Sequence, residues 1–352
     1  MSDPLKIAVV GSGIGAAHIQ GFHELPDLFE VKVLCDVNAE RATPVAEKYG
    51  IRKVVATFDE VCRRPDVDII DICTPPSLHL EQIKSVLKSG KHVICEKPLV
   101  GSLAALDAIA RLAKKSGRQV MPIFQYRFGN GLQRLKYLVD RKLTGEAFAF
   151  SVDVAWWRSG EYYNNPWRGK RATELGGALL SQAIHAIDMI LYILGPVKSV
   201  FGRTTTRVNR IEVEDCAAMS IEMADGSLGT LSVTLGSAAE ISRHRFTFRN
   251  LTAESNTQPY ANSREPWTFS FSAESAETRI TEALKQFEPL PEGYAGQFYR
   301  FHQALRDGTE LPVTLADARA TLEVIAGAYY SSEASEPVSL PIGPGHPKYE
   351  TL

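Results

Sequence analysis

The sequence has no apolar run long enough to span a bilayer, no dense Lys/Arg stretch and no Cys-x-x-Cys pair. Each absence removes a class of function. The longest apolar segments are broken by charges, Gly or Pro, so no membrane-spanning helix and no membrane partner are expected. A formal net charge of −2 without a basic run offers no footprint for a phosphate backbone, and nucleic acid is not expected as a partner. The five cysteines (Cys35, Cys62, Cys73, Cys95, Cys216) are scattered and read as small core residues. No Cys/His/Asp cluster has ligand spacing, so no metal site is expected. Residues 1–6 lack a basic stretch followed by an apolar signal core, which points to a cytoplasmic protein.

What is present is an ordinary globular composition, 44% apolar and 23% charged. At 352 residues the chain exceeds the length at which one core stops growing, so two domains are expected. Residues 1–126 alternate short β-branched runs (5–10, 30–35, 53–56, 68–73, 92–95 and 119–123) with stretches of helical periodicity that include 16–25, 80–87 and 103–115. That alternation predicts an α/β Rossmann domain with a doubly wound, mostly parallel sheet. Residues 127–352 read as an α+β domain with a largely antiparallel open sheet. Its alternating segments are 148–155, 199–206, 217–223 and 227–235, and Asp225-Gly226 marks a hairpin. Helical periodicity covers 132–142, 177–194, 297–306 and 315–329.

Gly11-Ser12-Gly13-Ile14-Gly15-Ala16 directly follows the first strand and opens the first helix, matching the dinucleotide fingerprint with Ala in its third place. In this reading Gly11 permits the tight turn, Gly13 lets the backbone approach a pyrophosphate, and Ala16 allows close packing of helix on strand. The amides around Ile14 then face the phosphates at a helix N-terminus. Asp36, at the end of the second strand, suits the adenosine ribose hydroxyls and repels a 2′-phosphate, so NAD is preferred over NADP. Arg41 could neutralise such a phosphate. In open α/β sheets ligands bind beyond the carboxyl ends of the strands, which brings in Thr74, Pro75, Glu96 and Lys97. An ammonium at Lys97 can hydrogen-bond a substrate hydroxyl and stabilise alkoxide-like charge.

Cys73-Thr74-Pro75-Pro76 with His79, Gly90 to Leu99 with its Glu96-Lys97-Pro98, Gln125-Tyr126-Arg127-Phe128 and Gly176 to Asp188 together closely resemble the Gfo/Idh/MocA family, named for glucose–fructose oxidoreductase, inositol dehydrogenase and rhizopine catabolism. The resemblance thins after about residue 247. It implies a dehydrogenase acting on a secondary hydroxyl of a sugar, cyclitol or glycoside, with NAD or NADP. It implies catalytic roles for Lys97 and for His185 as proton-transferring base, cofactor contacts at His79 and Glu96, and a cis peptide bond before Pro98. It also implies that 127–352 is the substrate-binding and oligomerisation domain of a homodimer or homotetramer.

From the residues alone, His185 in the middle of an apolar helix reads first as a hydrogen-bonded core histidine, and the resemblance reverses that. Many family dehydrogenases carry an acid four positions before this histidine, where this chain has Ser181. On one continuous helix Ser181, His185 and Asp188 share a face, so Ser181 could bond substrate or His185, and Asp188 could orient the histidine or be structural. The segment 156–169 is dense in aromatics and arginines. Its Tyr163, Trp167 and Arg168, with Arg127, suit a sugar pocket, although the same stretch would also serve as an aromatic packing or subunit-contact loop. Two further readings stay open: a glycosidase that borrows and returns a hydride, and a dinucleotide-binding sensor without catalysis.

Overall fold

The computed structural model describes residues 3–352, which form two compact units. The N-terminal unit runs to Gln125 and takes in Gly293–Ala318 as well; the C-terminal unit comprises Tyr126–Glu292 and Arg319–Leu352. A single cut after residue 126 therefore leaves 293–318 out of the unit in which it packs. The periodicity of 297–306 announces a covered helix without saying what covers it.

The N-terminal unit alternates β1 (Leu5–Val10), α1 (Gly15–His23), β2 (Phe29–Cys35), α2 (Ala39–Tyr49), β3 (Lys53–Val55), α3 (Phe58–Arg63), β4 (Ile69–Ile72), α4 (His79–Lys88), β5 (His92–Cys95), α5 (Leu103–Ser116) and β6 (Val120–Pro122). Its six strands, each within one residue of its expected ends, pair in parallel in the order β3-β2-β1-β4-β5-β6. Strands such as Ile7–Val10 and Ile69–Ile72 are buried throughout, as a sheet covered on both faces requires. Local signals set the helices. Asn38 caps α2 by accepting the Arg41 amide, Ser102 caps α5, and Gly50 and Gly117 end them in the left-handed conformation.

The C-terminal unit follows with α6 (Asn130–Asp140), β7 (Ala147–Trp157), α7 (Arg171–Glu174), α8 (Ala178–Ser181), α9 (Ile184–Leu194), β8 (Val197–Thr205), β9 (Cys216–Met223), β10 (Leu228–Thr234), β11 (Gly236–Phe248), β12 (Leu251–Glu254), β13 (Thr268–Phe271) and α10 (Glu274–Leu284). The chain continues through α11 (Gly293–Asp307), α12 (Leu315–Ala334) and β14 (Val338–Ser339). The eight strands form one sheet, β13-β12-β11-β7-β10-β9-β8-β14, antiparallel except for the β7/β10 pair. The hairpin at Asp225-Gly226 is present, with Gly226 at φ +89°. On β7, buried Phe150, Val152, Val154 and Trp156 alternate with residues of the open face.

One expected helix is two. Residues 177–194 split at Gln182-Ala183 into α8 and α9, so His185 sits in the first turn of α9 rather than mid-helix. Ser181 closes the preceding short helix and does not share an unbroken helical face with His185 and Asp188. Gly177 permits the entry: a Cβ there would collide with the backbone of Glu214. No single helix among the described residues is long and apolar enough to cross a membrane.

Within the N-terminal unit, α11 lies against α1. Gly21 permits the approach, since a Cβ there would stand 3.0 Å from Tyr294 Cβ and 3.2 Å from the Ala295 amide. The Phe22 and Phe298 rings stack at 4.0 Å, and the Gln297 side chain accepts from the Phe124 amide and donates to the Pro122 carbonyl, finishing the end of β6. Because Phe298 is fully buried, Phe298→Ala should lower the unfolding free energy by about 3–5 kcal/mol in urea denaturation of the full chain. The exposed Phe148→Ala should change it by less than about 0.5 kcal/mol.

Candidate active site

The turn between β1 and α1 works by exclusion. Gly11 has φ +99°, and a Cβ on it would stand 2.6 Å from the Cys73 carbonyl oxygen, so no other residue fits. A Cβ on Gly13 would meet nothing within 4 Å and Ile14 is exposed, which leaves these amides approachable by a phosphate. Close packing of helix on strand falls to Gly15, where a Cβ would lie 2.9 Å from Val9 Cγ1, and not to Ala16 as expected. The residues present fit a dinucleotide at this turn.

Asp36 is buried behind it. Its carboxylate accepts the Ser12 amide at 2.7 Å, the Ser12 hydroxyl at 2.5 Å and the Asn38 amide at 2.8 Å, and it pairs with the Arg41 guanidinium at 2.9 Å. Burial works against ionisation, yet these donors together hold the Asp36 carboxyl below the usual range. Asp36 thus ties the glycine turn to the end of β2, and Arg41 neutralises it.

At the ends of β4 and β5, His79 lies between two backbone carbonyls. Its ring nitrogens lie 2.9 Å from the Pro98 carbonyl and 2.8 Å from the Thr74 carbonyl, and burial pushes its pKa below the ordinary value. The neutral ring donates to one of these two carbonyls, which places His79 between the loops that follow β4 and β5. Thr74 donates its hydroxyl to Gln82 at 2.6 Å, and Pro75 precedes the short turn that leads into α4. Glu96 is buried, accepts the Lys97 amide on Oε2 at 2.9 Å, and faces His18 and Tyr294 with Oε1, each at 3.0 Å. The Lys97-Pro98 peptide bond is cis.

In the C-terminal unit, His185 is buried with its ring stacked on Tyr126 at 4.5 Å. Arg127, expected in the substrate pocket, is buried in an ion pair with Asp188: Nη2 to Oδ1 at 2.6 Å and Nε to Oδ2 at 2.9 Å. Its guanidinium also lies over the Tyr192 ring at 4.9 Å. The two residues hold each other in a bidentate pair.

Ser181 donates its hydroxyl to Glu174 Oε1 at 3.0 Å. Glu174 is buried, accepts the Gly169 amide at 2.5 Å and pairs with Arg168 at 2.8 Å. The position that lacks an acid in the sequence thus lies against a carboxylate from seven residues upstream. Arg168 is further held over the rings of Tyr162, at 4.3 Å, and Trp167, at 4.1 Å. Tyr162 and Tyr163 meet edge to face at 5.0 Å, and Trp156 is buried with Nε1 donating to Ser242 Oγ. Much of segment 156–169 therefore packs on itself, while Tyr163 and Trp167 remain half-buried.

Glu174 and the pair His18/Asp71 were missed by sequence reasoning. His18 follows the fingerprint within α1 and is fully buried, as is Asp71 inside an otherwise apolar strand. A charge within a buried strand was the available signal.

Two family models match the chain: the oxidoreductase family with an NAD-binding Rossmann fold over residues 5–124, and the Gfo/Idh/MocA C-terminal domain over residues 132–249. Among characterised proteins, the chain is 22% identical to scyllo-inositol 2-dehydrogenase (NADP+) of Bacillus subtilis over 96% of each chain. It is 28% identical to myo-inositol 2-dehydrogenase of Thermotoga maritima over 64% of this chain and 67% of the other. Among solved structures, the WlbA dehydrogenase of Chromobacterium violaceum, in complex with NADH and UDP-GlcNAcA, superposes with a TM-score of 0.85 at 25% identity, covering 97% of this chain and 98% of that one. The glycine turn, the Rossmann strand order and both domain matches agree: the chain belongs to the Gfo/Idh/MocA family of oxidoreductases.

Proposed function

We propose that this protein is a nicotinamide-dependent dehydrogenase that oxidises a secondary hydroxyl of a sugar, cyclitol or glycoside to the ketone. The observation that carries this reading is the placement of Lys97 at the carboxyl end of β5, its backbone amide bonded to Glu96, in the parallel sheet that opens with the dinucleotide turn. Relatives that are dehydrogenases of inositols and glucosides support the substrate class. When bound, the nicotinamide supplies a two-electron acceptor for hydride. Lys97 donates a hydrogen bond to the substrate hydroxyl oxygen and stabilises its negative charge as the C–H bond breaks. The neutral His185 imidazole takes the hydroxyl proton, with its ring plane fixed by Tyr126.

Substrate binding falls to Tyr163 and Trp167 as stacking surfaces, and to Ser181 and Arg168, both anchored on Glu174. The face of the eight-stranded sheet that carries Ser151, Ser220, Thr230 and Ser232, all exposed small residues, is where we place subunit pairing in a homodimer or homotetramer. A panel of inositols, aldoses, uronates and glycosides, assayed by reduced-nicotinamide absorbance with both cofactors, tests the reading. Release of an aglycone without reduced cofactor would indicate the glycosidase instead. Binding of dinucleotide without any turnover would indicate the sensor.

Cofactor choice follows from the Asp36–Arg41 pair. NAD should give the higher kcat/KM, and Asp36→Ser should narrow the gap, because it removes the carboxylate and releases a half-exposed guanidinium for a 2′-phosphate. A wild-type preference for NADP would contradict the assignment.

For the reacting groups, Lys97→Met should lower kcat roughly 10²–10³-fold while NAD still binds. His185→Ala should lose roughly 10²–10⁴-fold, together with the acid limb of the pH profile, since a base must be neutral to accept a proton. An acid limb that survives in His185→Ala would exclude His185 as the titrating group.

Glu174 sets what Ser181→Asp should do. A second carboxylate would replace the hydroxyl that now donates to Glu174 at 3.0 Å, and two such groups cannot both ionise cheaply. Stability should fall by about 3 kcal/mol at neutral pH, as for an uncompensated buried charge. The shared carboxyl pair has a raised pKa, so the loss should shrink as pH falls and one acid takes up a proton. Urea midpoints of wild type, Ser181→Asp and Ser181→Ala across pH would show it, and a pH-independent loss would contradict the dyad.

A further inference from the structure

His18 projects from α1 into the N-terminal unit with no exposed surface. Its Nδ1 lies 2.8 Å from Asp71 Oδ2 and its Nε2 lies 3.0 Å from Glu96 Oε1, so each ring nitrogen faces a carboxylate oxygen. A neutral imidazole has one N–H to offer, whereas an imidazolium has two. Two buried carboxylates on opposite sides of one ring favour the form that donates to both. The other groups described against the ring are a thiol and two aromatic side chains. Cys73 Sγ is 3.4 Å from Nδ1, and burial pushes its thiol pKa up, so it is neutral. The Tyr294 ring of α11 is 4.4 Å away and its hydroxyl donates to Glu96 Oε1, and the Phe298 ring lies at 5.5 Å. Asp71 Oδ1 is buried and has no hydrogen-bond partner, so His18 is the donor that satisfies that carboxylate. Burial alone would lower the His18 pKa, but Asp71 holds it well above the ordinary value.

The far end of this chain of contacts reaches Lys97. Glu96 Oε1 receives His18 and Tyr294, while Oε2 receives the Lys97 backbone amide at 2.9 Å. The geometry points to His18 as a positioning residue for Lys97: an imidazolium clamped between Asp71 and Glu96 fixes the Glu96 carboxylate, and that carboxylate fixes the Lys97 backbone. The inference rests on the reading of Lys97 as a catalytic group. It adds that the chain keeps a permanent buried cation, remote from its α1 surface, to hold that group in register. Without the charge at residue 18, Asp71 and Glu96 lose the cation they share, and Glu96 turns away or takes up a proton. Either response releases the Lys97 amide.

The test uses the full chain. Histidine ring ¹⁵N resonances, followed from about pH 6 to about pH 9, should show His18 protonated at both nitrogens across the range in which an ordinary histidine titrates. Amide hydrogen exchange should then show Lys97 protected in wild type and exchanging roughly 10-fold faster or more in His18→Gln, with Val93 and Ile94 in β5 unchanged. A residue that merely fills the core would loosen the whole strand or nothing. Asp71→Asn, which keeps the shape, gives a second reading. It removes one stabilising carboxylate, so the His18 pKa falls toward the ordinary value and Lys97 protection is lost as pH rises through it. In turnover of the best substrate from the panel, His18→Gln should lower kcat roughly 10-fold with little change in KM. A neutral His18 ring in wild type at pH 7, or unchanged Lys97 exchange in folded His18→Gln and Asp71→Asn, overturns the inference. Normal turnover in Lys97→Met overturns instead the catalytic reading on which it rests, and the exchange data, which need no substrate, tell the two failures apart.

Discussion

Taking a carboxylate out of water costs several kcal/mol unless a cation or a full set of donors meets it, and the sequence motifs of this chain are built around carboxylates that are out of water. Five of them lie against a basic side chain. Asp36 has Arg41, Asp188 has Arg127, Glu174 has Arg168, and Asp71 and Glu96 share His18. Where no cation is supplied, hydrogen bonds replace it. Asp215 accepts three successive amides, from Arg207, Val208 and Asn209, and Glu214 accepts the amides of Gly177 and Leu179 with the Tyr329 hydroxyl. Burial leaves the Glu214 carboxyl above its usual range. Arg127 and Arg168, which suit a sugar pocket from sequence, are each anchored on one of the protein's own acids.

That accounting explains what could be read in advance. The strands and the glycine turn were legible because their causes are local: a continuous β-branched run, and a backbone conformation that only Gly11 tolerates beside Cys73. Even there the packing contact was assigned one residue late, to Ala16, because a small side chain does not reveal which of two neighbours faces the strand. The Arg127–Asp188 pair joins residues 61 apart, and the composition of a segment does not say whether its arginine meets substrate or a distant carboxylate.

The break between α8 and α9 was invisible for a different reason. Both helices are buried nearly all round, so there is no polar stripe whose phase would slip at Gln182. Reading one long helix put His185 in its middle and Ser181 one turn behind it on the same row. The break removes that geometry and instead lets Ser181 reach Glu174, whose segment carries no recognisable motif. The strands β12 and β13 fall where the family resemblance thins, and the sequence sets no expectation for them or for β11.

The late return of the chain to the N-terminal unit has an order-of-assembly consequence. A ribosome finishes all six strands of the parallel sheet by Pro122, yet Phe22, Gly21 and the end of β6 await residues 293–298 for their partners. Until those emerge, an apolar face of α1 stands uncovered through the synthesis of the entire first segment of the C-terminal unit. In topological terms Tyr126–Glu292 is an insertion between two pieces of one Rossmann unit. Such an insertion can be exchanged for another while both ends of the host stay put, whereas the host cannot be cut free at the first junction without losing its last helix.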